Sequence, residues 1–172
     1  MNVELVRATP NDEPTLSRLA QLYAYDFSAH MELDVGDDGL FRVGSVLARS
    51  WLEPGRHVFL IRVDVKIAGF VVLHDGSRLT GAPDVMDVAE FFVMRKYRRK
   101  GIGSICAAHL FDLFRGKWEV RQTEQNFAGT AFWRKTIHEY TGGSFQEMLL
   151  NDERWRGPVQ TFDTREAKGN PR

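Results

Sequence analysis

Arg98-Arg99-Lys100-Gly101-Ile102-Gly103 combines three cations and two glycines where an apolar run gives way to a helical stripe. Glycine lets backbone approach a ligand with no Cβ in the way. The amides of a helix's first turn lack partners and carry partial positive charge. Together these features suit a diphosphate. A dinucleotide-binding turn would want a third glycine where Cys106 stands. A nucleoside-triphosphatase loop would want Gly-Lys-Ser/Thr, whereas Gly103 is followed directly by Ser104. Both fail on residue identity, and the plain alternative is a solvated strand-to-helix connector.

Glu90 is the carboxylate that stands out. Alternate residues of a strand share a face, which sets Glu90 among Met86, Val88, Phe92 and Met94. Burial there would raise its pKa above roughly 4.3, toward the range of a general base. The alternative is a glutamate paired with an arginine in the sheet. Strict alternation aims Asp87 at the opposite face, and Asp84 follows Pro83 in a turn. His74, Asp75 and Glu124 stay open as residues of a cleft.

A scaffold has to bring these groups together. Asn2 to Ala8 alternates like a strand, and Leu16, Leu19, Ala20, Tyr23 and Phe27 mark a helical face. A short helix is expected from Leu40 to Trp51, before Pro54-Gly55. Residues 58–63 and 67–73 read as a hairpin turning at Asp64-Val65-Lys66. Next come a strand over 86–94, a helix over 101–114, a strand over 117–122 and a helix over 127–141. Strands over 145–150 and 158–163 end the domain, 1–164, and 165–172 reads as a loose tail. This order predicts an α+β, three-layer α/β/α fold: a mixed, mainly antiparallel twisted sheet of about six to seven strands with helices on both faces.

The Arg98-x-x-Gly101-x-Gly103 pattern resembles the acetyl-CoA pyrophosphate loop of the GNAT N-acetyltransferase superfamily. Weaker matches flank it: Arg7 to Asp12, Val93, Trp118-Glu119-Val120, Asn126 through Phe132-Trp133, and Gly143-Ser144-Phe145. The resemblance spans about residues 2–150 and implies the GNAT fold and an acetyl-CoA-dependent N-acetyltransferase. It implies that Arg98, Arg99, Lys100, Gly101, Ile102, Gly103 and Ser104 hold the pyrophosphate. The backbone of Phe92, Val93 and Met94, with Asn126, would hold the pantetheine arm. Glu90 would take the proton of an attacking amine in direct transfer, and Trp133 stands where many members place a tyrosine that protonates the departing thiolate. An indole N–H supplies no such proton. Tyr140 lies a further seven residues on, about 10 Å along a helix, so general-acid help is absent, comes from water, or comes from another tyrosine such as Tyr25. The acceptor is a small-molecule or peptide amine of unspecified identity. The rival reading is an acyl-CoA-binding regulatory or interaction protein of the same fold without turnover.

Composition narrows the remaining classes. At 172 residues the chain fits one domain. Its 23 basic and 23 acidic residues cancel, which argues against a nucleic-acid partner even at the basic run Arg95 to Lys100. One cysteine excludes an internal disulfide; Cys106 falls on an apolar stripe and reads as core. No apolar run suits a membrane span and the N-terminus carries no signal-peptide pattern, so the expected setting is cytoplasmic. The histidines form no metal-binding spacing, and no metal is expected. The acidic stretch Glu32 to Asp38 reads either as a solvated loop or as a recruiter of cationic amines. The oligomeric state stays open, a homodimer included.

Overall fold

The computed structural model describes residues 1–42 and 54–166. Among these residues seven strands form one sheet: β1 (Val3–Arg7), β2 (Arg56–Val63), β3 (Lys66–Asp75), β4 (Val85–Val93), β5 (Lys117–Arg121), β6 (Gln146–Asn151) and β7 (Arg156–Asp163). Their spatial order is β1-β2-β3-β4-β5-β7-β6. Only β4 and β5 run parallel; every other neighbouring pair is antiparallel. The expected mixed, mainly antiparallel α+β architecture is therefore the one observed.

Among the described residues three α-helices cover the two faces: α1 (Glu13–Phe27), α2 (Ile102–Leu113) and α3 (Phe127–Thr141). Leu16 and Leu19 of α1 pack on Leu60, Phe70, Val72 and Phe92. On the other face, Cys106 and Leu110 of α2 and Ile137 of α3 close over Ile61, Val71 and Trp118. Because both faces are covered, β2 and β3 are apolar almost throughout instead of alternating. None of these helices is long and apolar enough to cross a membrane. The helix expected over 40–51 falls mostly on residues 43–53, outside the described ones; Phe41, near its start, makes an isolated bridge with Val35. Most of the expected tail, residues 167–172, also lies outside them.

Two irregularities set up the site. The pairing of β3 with β4 goes from Val72↔Glu90 to Leu73↔Val88, leaving Ala89 as an extra residue. This bulge resets the alternation: Met86 and Val88 face α2 and α3, whereas Phe92 and Met94 face α1. The expectation that Met86, Val88, Glu90, Phe92 and Met94 share a face is thus corrected. Second, β4 and β5 pair only from Val85↔Lys117 to Val88↔Val120. Beyond that, β4 runs on to Val93 while Arg121 stays with Val159 of β7. A wedge opens between the only two parallel neighbours.

At the β2–β3 hairpin, Asp64 and Val65 form a two-residue turn, both at positive φ (46° and 63°). The turn matches the sheet's twist, but a β-branched residue fits that region poorly.

Candidate active site

A cavity of about 550 Å³ occupies the wedge. Its walls include Ala89, Glu90 and Phe91 of β4, Gln122 beyond β5, Asn126 at the N-cap of α3 and Trp133 two turns into that helix. Tyr23 and Phe27 of α1 close the side opposite α3. Met94 donates its amide to Ala68 of β3 at 2.8 Å. The two-residue period of an antiparallel ladder then turns the amides of Phe91 and Val93 away from β3, toward the wedge. Of the strand amides expected to anchor a pantetheine arm, that of Val93 faces the gap. Those of Phe92 and Met94 are spent within the sheet, and that of Phe91 faces the gap beside Val93.

Glu90 enters the cavity from β4 and accepts a 2.6 Å hydrogen bond from the Tyr23 hydroxyl. Burial pushes the Glu90 carboxyl above its usual range; the Tyr23 bond and Arg56 pull it down without cancelling the rise, and Asp87 adds to it. Tyr23 is in turn pushed well above the usual tyrosine value, by burial first and then by Glu90. The bulge also brings Asp87 to Glu90's side, so the expectation that it points to the opposite face is corrected. Arg121 grips the fully buried Asp87 with Nε at 3.1 Å and Nη2 at 2.9 and 3.0 Å. Burial raises Asp87 and Arg121 offsets part of that rise.

At the mouth of α2, Gly101 adopts φ +77° with open space around it, and Arg99 precedes it at φ +58°. The first helical amide to find an acceptor is that of Ile105, bonded to Gly101. The amides of residues 99–104 therefore have no acceptor among the described residues, an arrangement that suits a phosphate. Arg99 and Lys100 are exposed beside them.

Arg98 is engaged otherwise than expected. Its Nε donates to the Val93 carbonyl at 2.7 Å, its Nη2 bonds Asp26 of α1, and its guanidinium lies 5.8 Å from the Phe92 ring. It braces the loop against α1, with Arg95 bonding the same aspartate at 2.8 Å. Burial raises Asp26, but the hydrogen bonds from Arg98 and Arg95 outweigh it and hold the carboxyl below its usual range. Ile102 is buried and anchors the helix. A Cβ on Gly103 would stand 3.0 Å from the Phe132 ring, so that glycine serves the contact of α2 with α3. The Ser104 hydroxyl lies 3.0 Å from that of Thr136.

Asn126 caps α3, its Oδ1 accepting from the Gly129 amide at 2.9 Å. Its Nδ2 makes no hydrogen bond among the described residues and is the donor it can offer a ligand in the cavity. Trp133 is buried edge-on against Phe91 at 4.9 Å. Neither tyrosine weighed as an acid reaches it. Tyr25 is 65% exposed; Tyr140 donates to Asp112 at 2.7 Å and is pushed up to about 12, chiefly by burial. His74 borders the Asp87 pair electrostatically, while Asp75 pairs with His57 at 2.9 Å. No group of three or more His, Cys, Asp or Glu among the described residues is placed to hold a metal.

Tyr23, Arg121 and Gln122 were not singled out by sequence reasoning. For Tyr23 a signal existed, because a tyrosine on the buried stripe of α1 needs a partner for its hydroxyl.

The family model described as Acetyltransferase (GNAT) family matches residues 18–138. No curated protein sequence matches the chain. Among solved structures, an acetyltransferase from Thermus thermophilus is similar at 15% identity and TM-score 0.69, covering 95% of this chain and 97% of the other. The PaiA N-acetyltransferase from Thermoplasma acidophilum, in complex with coenzyme A, gives 12% and 0.64 over 95% and 99%. AAC(6')-Ib in complex with ribostamycin and coenzyme A gives 11% and 0.71 over 99% and 100%. At such identities the likeness is one of fold.

Proposed function

The chain belongs to the GNAT family of acetyltransferases, and we propose that it moves an acetyl group from acetyl-CoA to a primary amine by direct transfer. One observation carries this reading: a carboxylate raised above its usual range sits inside a wedge whose outer end leads to unpartnered amides. Acetyl-CoA supplies an activated acyl thioester. The amides of residues 99–104, with Arg99 and Lys100, would hold its pyrophosphate. Asn126 Nδ2 and the amides of Phe91 and Val93 would hold the pantetheine arm and the carbonyl oxygen. Trp133 would pack against that arm.

A primary ammonium has a pKa near 10 and must lose a proton before it attacks. Glu90 takes that proton, directly or through a water. The nitrogen–carbon bond then forms as the carbon–sulfur bond breaks. A thiol with pKa about 8.5 leaves as thiolate without an acid, which suits a site that has Trp133 in place of a tyrosine. That tryptophan also favours the second reading, binding of acyl-CoA without turnover. Thioester consumption on a panel of amines decides between them. Glu90→Gln should slow it at least about tenfold at neutral pH, and an unchanged rate would remove Glu90 as the base.

A further inference from the structure

Gln122 is buried at 3% exposure and lines the cavity. The Glu147 carboxylate can only accept, so Gln160 turns its Nε2 toward it at 2.7 Å. The Gln160 oxygen then receives Gln122 Nε2 at 2.9 Å. This chain fixes the Gln122 amide and leaves its Oε1 buried with no partner, as is Thr123 Oγ1 beside it. Both atoms are enclosed within the wall of the cavity, and leaving them unpaired is costly to the fold.

The same cavity holds three arginines, Arg56, Arg78 and Arg121, against two carboxylates, Asp87 and Glu90. Arg121 spends Nε and Nη2 on Asp87 and has Glu119 Oε1 3.5 Å from Nε. Glu119 also accepts from Ser77 at 2.6 Å. Both carboxylates thus lie on one edge of the guanidinium, whose face stacks on Trp155 at 4.7 Å. Its Nη1 has no acceptor among the described residues, and Arg121 lines the cavity. Arg78 is exposed at the cavity and makes no ion pair among the described residues. Arg56 acts through space on Glu90. β4 places Asp87 three residues before Glu90, and the phosphate-binding turn follows Val93. Arg121 and Arg78 therefore lie on the far side of Glu90 from that turn.

Resting on the acetyl-transfer reading above, we propose that the acceptor is a primary amine that also carries an oxyanion, a carboxylate or a phosphate monoester. Arg78 and Arg121 Nη1 receive the oxyanion. Glu90 meets the amine. A polycation such as an aminoglycoside would set its further ammonium groups against these arginines. Glu32 and Asp34 do not offset this, because that loop lines the cavity with Met31 and Leu33.

Initial rates with acetyl-CoA at fixed dose should be measured on amino acids, their carboxamides, phosphoethanolamine, spermidine and kanamycin. kcat/KM should be at least about tenfold higher for an oxyanion-bearing amine than for its uncharged counterpart or either polycation. Preference for the amino acids identifies a carboxylate, and preference for phosphoethanolamine a phosphate. Arg78→Ala should reduce that preference about tenfold, through KM, and Arg78→Lys should retain part of it. Equal or better turnover of carboxamides or polycations, or a preference untouched by Arg78→Ala, overturns this inference and leaves acetyl transfer standing. Absence of turnover on every amine overturns the acetyl-transfer reading and this one with it.

Discussion

The Tyr23–Glu90 hydrogen bond opposes the burial that raises the carboxyl, because the hydroxyl stabilises the ionised form. This gives Tyr23→Phe a definite sign. With the bond gone, Glu90 should rise further, and the acid limb of the kcat/KM profile should move to higher pH while the maximal rate at alkaline pH is largely kept. A shift in the opposite direction would show that Tyr23 acts on the reacting atoms instead. Stability follows the same proton. The folded-state pKa of Glu90 lies above its unfolded value, so the carboxyl's favourable contribution is complete below the ordinary glutamate range and fades as pH rises through the folded value. The sequence disclosed Glu90 because a carboxylate in an apolar strand is conspicuous. It hid Tyr23, Arg121 and Gln122, because their partners sit 67, 34 and 38 positions away along the chain. Arg98 was legible as a cation beside the turn, but not as a brace, since Asp26 carries no mark of its spatial neighbour.

Periodicity located β4, α2 and α3 to within about a residue, because both faces of the sheet and one stripe of each helix are buried. It could not reveal the bulge at Ala89, where a small residue slips into a β-branched and aromatic run without breaking its composition. That one extra residue moves two carboxylates onto one wall and undoes the strict alternation. Another feature of this scale, the β2–β3 turn, can be improved. Val65 is exposed at φ +63°, a conformation that asparagine tolerates and a β-branched side chain resists. Val65→Asn should therefore stabilise the fold by about 1 kcal/mol. That corresponds to about 2–4 °C in Tm for a chain of this length, read by thermal denaturation. A lower Tm would mean that the turn carries no such strain.

Across the whole molecule, the sheet's order follows from pairings that no local window contains. β7 inserts between β5 and β6, and its hold on Arg121 draws β5 away from β4. The wedge is thus a property of the complete sheet, and its existence was beyond the reach of motif reading even where the flanking motifs were legible. Binding there should engage β4, the α2 turn and α3 together. Acetyl-CoA at a hundred times its dissociation constant should stabilise the folded state by about 2.7 kcal/mol. Tm should then rise by about 5–11 °C. The absence of any shift at millimolar dose would contradict the proposed cradle.

Cys106, on the buried face of α2, has 0% exposure, and burial pushes its thiol up to about 12. It is the chain's one cysteine. A folded sample consequently offers a thiol-trapping dye almost no reactive sulfur of its own. Colour developing in such an assay measures the liberated carrier directly, and a sudden surge of protein-derived signal marks global opening of the core.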